Sequence, residues 1–419
     1  MALNRKIAYI NLTEGTVETK PIPVKMRKLF LGGRGLDAYL MYNHIKPGID
    51  ALGPENVLFV SAGVLVGTLA SASARTHVAA KSPLTNYYGS TNMGGFFAPE
   101  LRFAGFDHLV IKGKAKKPSY LWIHNGEIEI RDASKIWGKG VRDTQEALRE
   151  ELGDHEIKAM TIGIGGENMV RYANVMTEIK NAGGRTGMGA VMGSKNLKAI
   201  AVRGTMDIKI AHPVEALEYD KKVISQVTAA KVSQEQGHLG TLFIFGATNS
   251  QGLVRARNFQ LNQLDNADSV EPEAFEEHTF GMTGCYGCQV HCRGKYRIPE
   301  GPYKGVYEEG PEYTSIGAFA AEPDVRDINT VLVGNHIVND YGLDTIETGS
   351  MIAWAMELYE KGILNDKDTG GLDLRFGNKD AVIEMIHRIA KREGLGDLLA
   401  EGPLRAAKKI GKDSVKYMV

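Results

Sequence analysis

SYLWIHNGEIEIRD, residues 119–132, reads as two short strands joined by a tight turn. Apolar and polar side chains alternate on both sides of Asn125-Gly126. Asn-Gly is the dipeptide best suited to the two positive φ values of a type I′ hairpin turn. A hairpin here makes the surrounding chain β-rich, and its neighbours agree. NVLFVSAGVLVG (56–67) is an apolar, β-branched run without helical period, and HLVIKG (108–113) and LKAIAVRG (197–204) also read as strands. Helices interrupt them, as at VRDTQEALREELG (141–153), which has helical spacing and closes on Gly.

After about residue 210 the grammar changes. HPVEALEYDKKVISQVTAAKVSQEQG (212–237) predicts one long helix. DTIETGSMIAWAMELYEKG (344–362) has an acidic N-cap, Glu347 at the capping-box position and a terminal Gly, and KDAVIEMIHRIAKREG (379–394) follows the same pattern. The reading is an α+β protein: a β-rich N-terminal domain followed by a mainly helical one, with a boundary near 207–212. The last residues, GKDSVKYMV, have a strand-like character and no stop signal.

The bulk numbers narrow the function. A chain of 419 residues is too long for one ordinary core, at roughly 100–200 residues per domain. With 50 basic and 50 acidic residues, no basic excess points to nucleic acid or an anionic membrane. The start, MALNRKIAYINL, lacks the apolar segment of an export signal, and no apolar run reaches the ~18 residues of a membrane span. The expected location is cytoplasmic. Glycine is the outlier, 49 residues against a usual ~7% of a chain. It concentrates in GGRG (32–35), MGG (93–95), GIGGEN (163–168) and NAGGRTGMGAVMG (181–193), as expected of backbone wrapped closely around a large ligand or of many tight turns. GIGGEN lacks the full G-x-G-x-x-G spacing, which argues against a nicotinamide-binding Rossmann unit.

All three cysteines fall in TGCYGCQVHC (283–292), as Cys285, Cys288 and Cys292. Three uses compete. Buried free thiols do not explain Cys-x2-Cys-x3-Cys with glycines between. Zinc suits the Cys-x2-Cys knuckle, with His291 as a possible fourth ligand, but adjacent His291 and Cys292 are hard to aim at one ion. An iron–sulfur cluster takes four thiolates, often three from one loop and one from elsewhere, and fits best while leaving the fourth ligand to be found.

Taken together, the chain resembles the tungsten-dependent aldehyde ferredoxin oxidoreductase family. The resemblance is carried by LGGRGL (31–36), RTHVAAKSPLTN (75–86), NMGGFFAPELRFAGFD (92–107), GRTGMGAVMGSKNLKAIAV (184–202), the cysteine loop, EEGPEY (308–313), NDYGLDTIETG (339–349) and IAKREGLGDLLAEG (389–402). It implies a β-rich base domain over 1–208 that binds a tungsten (or molybdenum) bis-pyranopterin, a helical domain over 209–414 bearing a [4Fe-4S] cluster, and the beginning of a third domain at 415–419. That third domain would carry the fourth cluster cysteine. By the same resemblance Arg75, Asn92, Gly94, Ala182, Gly184 and Arg185 match pterin-binding positions, and the carbonyls of Asn92 and Ala182 would hold a Mg2+ between the two phosphates. Asp340, Leu343 and Asp344 match an Asp-x-x-Gly-Leu-Asp pterin motif.

Four positions depart from the family pattern. Asn181 stands where a basic residue is usual. GPEYT puts Thr314 where the family often has a Glu beside the metal, and threonine is no carboxylate base. Glu312, two residues earlier, would share a face with Thr314 in a strand, and is the candidate structural or substitute catalytic acid. In VGNH (333–336), His336 remains, but Val333 replaces a Glu and Ile383 aligns with a later His, so any oligomer is expected to lack bridging iron. The implied reaction oxidises an aldehyde with water to a carboxylic acid, passing electrons through the cluster to ferredoxin or a ferredoxin-like subunit. The alternatives are reduction of an aromatic acyl-CoA thioester on the same cofactors, or a non-catalytic metal-binding electron-transfer fragment.

Overall fold

The computed structural model describes residues 5–419, which cluster into two compact units. One runs to Ala229 and takes in Gly284–Gln289; the other comprises Ala230–Thr283 and Val290–Val419.

The first unit is built on two six-stranded sheets. In chain order the first sheet contributes β1 (Lys6–Asn11), β2 (Thr16–Pro21), β3 (Leu58–Ala62), β4 (Thr76–Lys81), β5 (Tyr88–Met93) and β6 (His108–Lys112). The second contributes β7 (Ser119–His124), β8 (Glu127–Asp132), β9 (Lys158–Thr161), β10 (Val175–Thr177), β11 (Asn181–Gly183) and β12 (Leu197–Arg203). Their orders are β2-β1-β6-β3-β4-β5 and β11-β10-β9-β12-β7-β8. The pairs β1–β6 and β12–β7 are parallel and the remaining neighbours antiparallel.

The hairpin at 119–132 forms as its turn residues require. Ser119 pairs with Asp132 and His124 with Glu127, while Asn125 and Gly126 both take positive φ, 43° and 95°. The two sheets share one core. Ala8, Ile10, Leu58, Val60 and Val78 meet Leu121, Ile123, Met160, Ile200 and Val202, with Phe97, Leu101, Met188 and Val191 from two short helices between them. Each such side chain, fully buried, contributes about 1.5–3 kcal/mol relative to exposure. The other faces are covered too. Helix Arg34–His44 packs Leu36 and Leu40 on Phe59 and Ala79, and helix Val141–Leu152 packs Leu148 on Tyr120 and Ala159.

The second unit holds a small antiparallel sheet, β13 (Thr279–Thr283), β14 (Arg293–Arg297) and β15 (Tyr307–Glu309), among helices that include Ile328–Tyr341, Thr345–Glu360 and Lys379–Lys391. Asp344 caps the second of these, its carboxylate accepting from the Glu347 N–H at 2.8 Å.

Three local expectations change. The long helix over 212–237 is two helices, Pro213–Ala229 and Lys231–Leu239, with Ala230 extended between them. Thr228 hydroxyl bonds back to the Ile224 carbonyl at 2.9 Å, which weakens the last turn before the break. The helix Pro213–Ala229 groups with the first unit and Lys231–Leu239 with the second. The closing residues form a 3-10 turn, Ser414–Tyr417, whose Ser414 carbonyl accepts from the Trp354 indole at 3.3 Å; 415–419 therefore cluster with the second unit. Finally, Glu312 and Thr314 do not lie in a strand; Glu312 is the N-cap of the helical turn Tyr313–Ile316.

Candidate cofactor and cluster site

Strand pairing gathers most of the expected first-unit residues at one place. Thr76 of β4 pairs with Met93 of β5, so the register sets Arg75 beside the Gly94 end of β5. Arg75 is exposed and makes no hydrogen bond or ion pair with any described residue, which leaves its planar fork for an anion. Asn92 is exposed on β5. β11 lies against the same strand: a Cβ on Gly183 would come within 3.2 Å of Thr91 Cγ2. Ala182 and Gly184, on either side of Gly183, are thereby held near Asn92 and Gly94. Arg185 follows, exposed and with φ 71°.

Glu178 also fixes this turn, and sequence reasoning did not single it out. Glu178 accepts from the Phe96 N–H at 3.1 Å through one carboxylate oxygen and from the Asn181 amide at 2.7 Å through the other. Gly95, with φ 91°, lies against that carboxylate, and a Cβ there would collide with it. Asn181, in place of a basic residue, thus works as a brace for Glu178. Neither role has a local signal in the sequence, because each depends on an edge-to-edge approach of β5 and β11.

The glycines downstream divide by task. A Cβ on Gly187, Gly189 or Gly193 would run into the backbone at Arg171, Asn174 or Gly166, so these three serve close packing of the short helix Met188–Ser194. Thr186, beside them, keeps a buried hydroxyl with no hydrogen-bond partner among the described residues.

The cysteine-bearing loop is the connection between β13 and β14, closed by the Thr283–Arg293 pair. Its residues Gly284–Gln289 belong to the first unit. There Cys285 Sγ packs on Gly94: a Cβ on that glycine would lie 2.5 Å from the sulfur. Cys288 N–H donates to the Cys285 carbonyl at 3.1 Å, tightening the Cys-x2-Cys turn. Cys292 lies in the second unit, where its carbonyl approaches Gly240. All three are partly exposed free thiols. Among the described residues no group of three or more His, Cys, Asp or Glu side chains is already gathered around a metal position.

In the second unit Asp340 sits in the last turn of helix Ile328–Tyr341, which ends on Gly342 in the left-handed region. Leu343 is fully buried and Asp344 is the cap described above. Glu312 is committed locally. Its carboxylate caps the Ser315 N–H and accepts from the Thr241 hydroxyl, and Thr241 Oγ1 accepts in turn from Tyr313 N–H at 3.0 Å. Thr314 is inside that turn. His336 lies 3.4 Å from Glu308 through Nδ1, with Val333 buried on the same helix.

The donor sets fit the groups that the sequence suggests. The Arg75 guanidinium, the edge strands that carry Asn92 and Ala182, and the Thr186 hydroxyl suit a phosphorylated, many-donor cofactor. Three thiols in one short loop suit an iron–sulfur cluster.

Comparison with known proteins gives the same direction. The family description "Aldehyde ferredoxin oxidoreductase, N-terminal domain" matches residues 7–204, and "Aldehyde ferredoxin oxidoreductase, domains 2 & 3" matches 218–419. The tungsten-containing aldehyde ferredoxin oxidoreductase of Pyrococcus abyssi is 41% identical over 413 residues, 97% of this chain and 67% of that protein. The aliphatic sulfonate oxidoreductase, WOR-like subunit, of Pyrococcus furiosus is 33% identical over 444 residues, 100% of this chain and 70% of the relative. Among solved structures, the active site complex BamBC of benzoyl coenzyme A reductase, in complex with 1,5-dienoyl-CoA, superposes with a TM-score of 0.88 at 30% identity, covering 98% of this chain and 64% of that one. The chain spans about two thirds of the length of these proteins. No helix among the described residues is long and apolar enough to cross a membrane. Two consecutive family descriptions, identity above 40% across nearly the whole chain and a shared fold lead to one conclusion: the chain belongs to the tungsten-containing aldehyde ferredoxin oxidoreductase family.

Proposed function

We propose that the protein, in its complete form, oxidises aldehydes to carboxylic acids in the cytoplasm: RCHO and H2O give RCOOH, two protons and two electrons. The observation that carries this reading is the seat of Cys285 on Gly94, at the edge where Arg75, Asn92, Ala182 and Gly184 converge. A cluster ligand and the expected cofactor contacts thereby share one turn of backbone.

A bound tungsten (or molybdenum) bis-pyranopterin would supply the two-electron chemistry, and a [4Fe-4S] cluster the one-electron relay. The chain's own residues bind and orient. Arg75 and Arg185 offer guanidinium donors to phosphate. The carbonyls of Asn92 and Ala182 accept a Mg2+, an oxygen-seeking cation. Asp340 and Asp344 offer carboxylate oxygens to ring N–H groups, and Leu343 holds their turn in the core. Cys285, Cys288 and Cys292 supply three thiolates. Glu312 keeps the Tyr313–Ile316 turn in place through Thr241, so we assign it a positioning role in preference to that of the acid. The electron acceptor is ferredoxin or a ferredoxin-like subunit, and the substrate a small molecule.

Reduction of an aromatic acyl-CoA thioester is the second reading, favoured by the 0.88 TM-score against benzoyl coenzyme A reductase and by Thr314 in place of a metal-side carboxylate. Metal analysis of the anaerobically purified full-length protein tests the shared part. Absence of both tungsten and molybdenum from folded, iron-replete protein would sink both readings. Aldehyde-dependent reduction of a viologen dye then separates them, since the thioester reductase would give none.

A further inference from the structure

The cysteine loop carries a residue whose contacts exceed what a turn between two ligands needs. Tyr286 lies between Cys285 and Cys288, is half-buried, and is held from four directions within the first unit. Its hydroxyl donates to the Gly67 carbonyl at 3.2 Å, and its backbone N–H donates to the Gly95 carbonyl at 3.3 Å. Its ring meets Phe96 and Phe103 edge-on, with centroids 6.5 and 6.1 Å away. Edge-to-face pairs of this kind favour one ring orientation. The loop is pinned twice more just after this residue. The Ala72 N–H donates to the Gly287 carbonyl at 2.9 Å, and the Ser71 hydroxyl to Gln289 Oε1 at 2.5 Å.

We infer that Tyr286 is a positioning residue: it locks the loop so that Cys285 Sγ rests on Gly94, and thereby sets which cysteine faces the Asn92–Gly94 edge. The ring and the Gly95 contact act together, because the residue that pairs with Gly95 is the direct neighbour of Cys285. Gly94 is the complementary half of the device, since any side chain there would occupy the place of the sulfur. The inference rests on the cluster reading for its purpose, and on the contacts alone for its existence.

The test uses the full-length protein, metal-free and after reconstitution with iron and sulfide. Alkylation of each cysteine in the metal-free protein is followed by mass spectrometry, and the reduced, reconstituted protein is examined by EPR. In Tyr286→Ala the alkylation of Cys285 should rise about tenfold while that of Cys292 stays within about twofold, the pattern of a local opening. The EPR signal should broaden or shift. Tyr286→Phe keeps the ring and the backbone bond and should stay close to wild type in both readouts. An unchanged Cys285 rate in Tyr286→Ala overturns the inference. If that variant does not fold, Phe103→Leu removes one ring contact and should raise the Cys285 rate in the same direction; no rise there overturns the inference equally. If the wild type takes up no cluster, the cluster reading fails alone, and the alkylation contrast still decides the role of Tyr286.

Discussion

Asp37 Oδ2 and His77 Nδ1 meet at 2.6 Å, and neither side chain is more than 3% exposed. The other carboxylate oxygen of Asp37 receives His108 Nδ1 at 2.8 Å, and the Ser61 hydroxyl donates to Oδ2 beside His77. Burial alone pushes the Asp37 carboxyl up; the charges and hydrogen bonds of His108 and His77 outweigh it and leave the group below its ordinary value. The arrangement ties helix Arg34–His44 to β3, β4 and β6 by one ionised carboxylate. Asp37→Asn leaves two buried imidazoles without their anion and should destabilise the first unit by about 3–5 kcal/mol. Urea unfolding followed by circular dichroism measures it.

The same group predicts an acid limb. A carboxyl whose folded pKa lies below its unfolded value stabilises the protein above the unfolded value, near 3.9, and that contribution disappears as pH falls through the folded pKa. Wild type should therefore lose stability as pH falls below about 4, and Asp37→Asn should start lower and fall less steeply there. Parallel limbs would show that Asp37 is not the group responsible.

What the sequence made legible was local. Asn125-Gly126 carries its own turn geometry, and Gly153 after helix Val141–Leu152 takes φ 70° as a terminal glycine should. The gathering of Cys285, Cys288 and Cys292 was legible for the same reason, since all three lie within one loop. Illegible features depend on chain segments far apart. Asp37 meets partners 40 and 71 residues away, and Glu178 braces a turn 82 residues before it. The cap formed by Glu312 left no local trace, because its partner, Thr241, is 71 residues upstream and the short turn it caps has no periodicity to read. The break at Ala230 was hidden because no Pro or Gly marks it.

Glu312 separates positioning from proton transfer. Glu312→Gln keeps an oxygen for the Ser315 N–H and the Thr241 hydroxyl, so stability should stay close to wild type. Glu312→Ala removes the cap and should cost about 0.5–2 kcal/mol. Thr241→Val should cost about 1–3 kcal/mol by stripping the partner from a partly buried carboxylate. In turnover assays Glu312→Gln should retain most activity; a fall of about 10²–10⁴ would instead make Glu312 the acid or base of the reaction.

Arg75 makes no hydrogen bond or ion pair with any described residue, so its removal should be silent for folding and audible for the cofactor. Arg75→Ala should leave thermal unfolding of the metal-free protein within about 0.5 kcal/mol of wild type. Tungsten or molybdenum content of the protein purified from the same culture should fall severalfold. Arg75→Lys keeps the charge and loses the fork, and should recover only part of that content, because an ammonium is a point charge and cannot grip phosphate bidentately. Equal metal content in all three proteins would place the phosphates elsewhere.

The three thiols give the sharpest distinction among the uses open to the loop. Cys285→Ser, Cys288→Ser and Cys292→Ser should each lower iron and acid-labile sulfide in the full-length protein, with visible absorbance that bleaches on reduction lost in parallel. A zinc site would instead bind one metal ion without such absorbance, and would release protons on loading. Structural thiols would lose no metal at all. The three positions should not respond alike. Cys285 is seated against Gly94 while its backbone is pinned through Tyr286, so a serine there leaves the loop in place with a poorer ligand. Gly94→Ala acts from the other side: it keeps all three thiols and drives Cys285 off its seat, so cluster content should fall although no ligand has been removed. Full iron content in Gly94→Ala would mean that the sulfur reaches its cluster from another position.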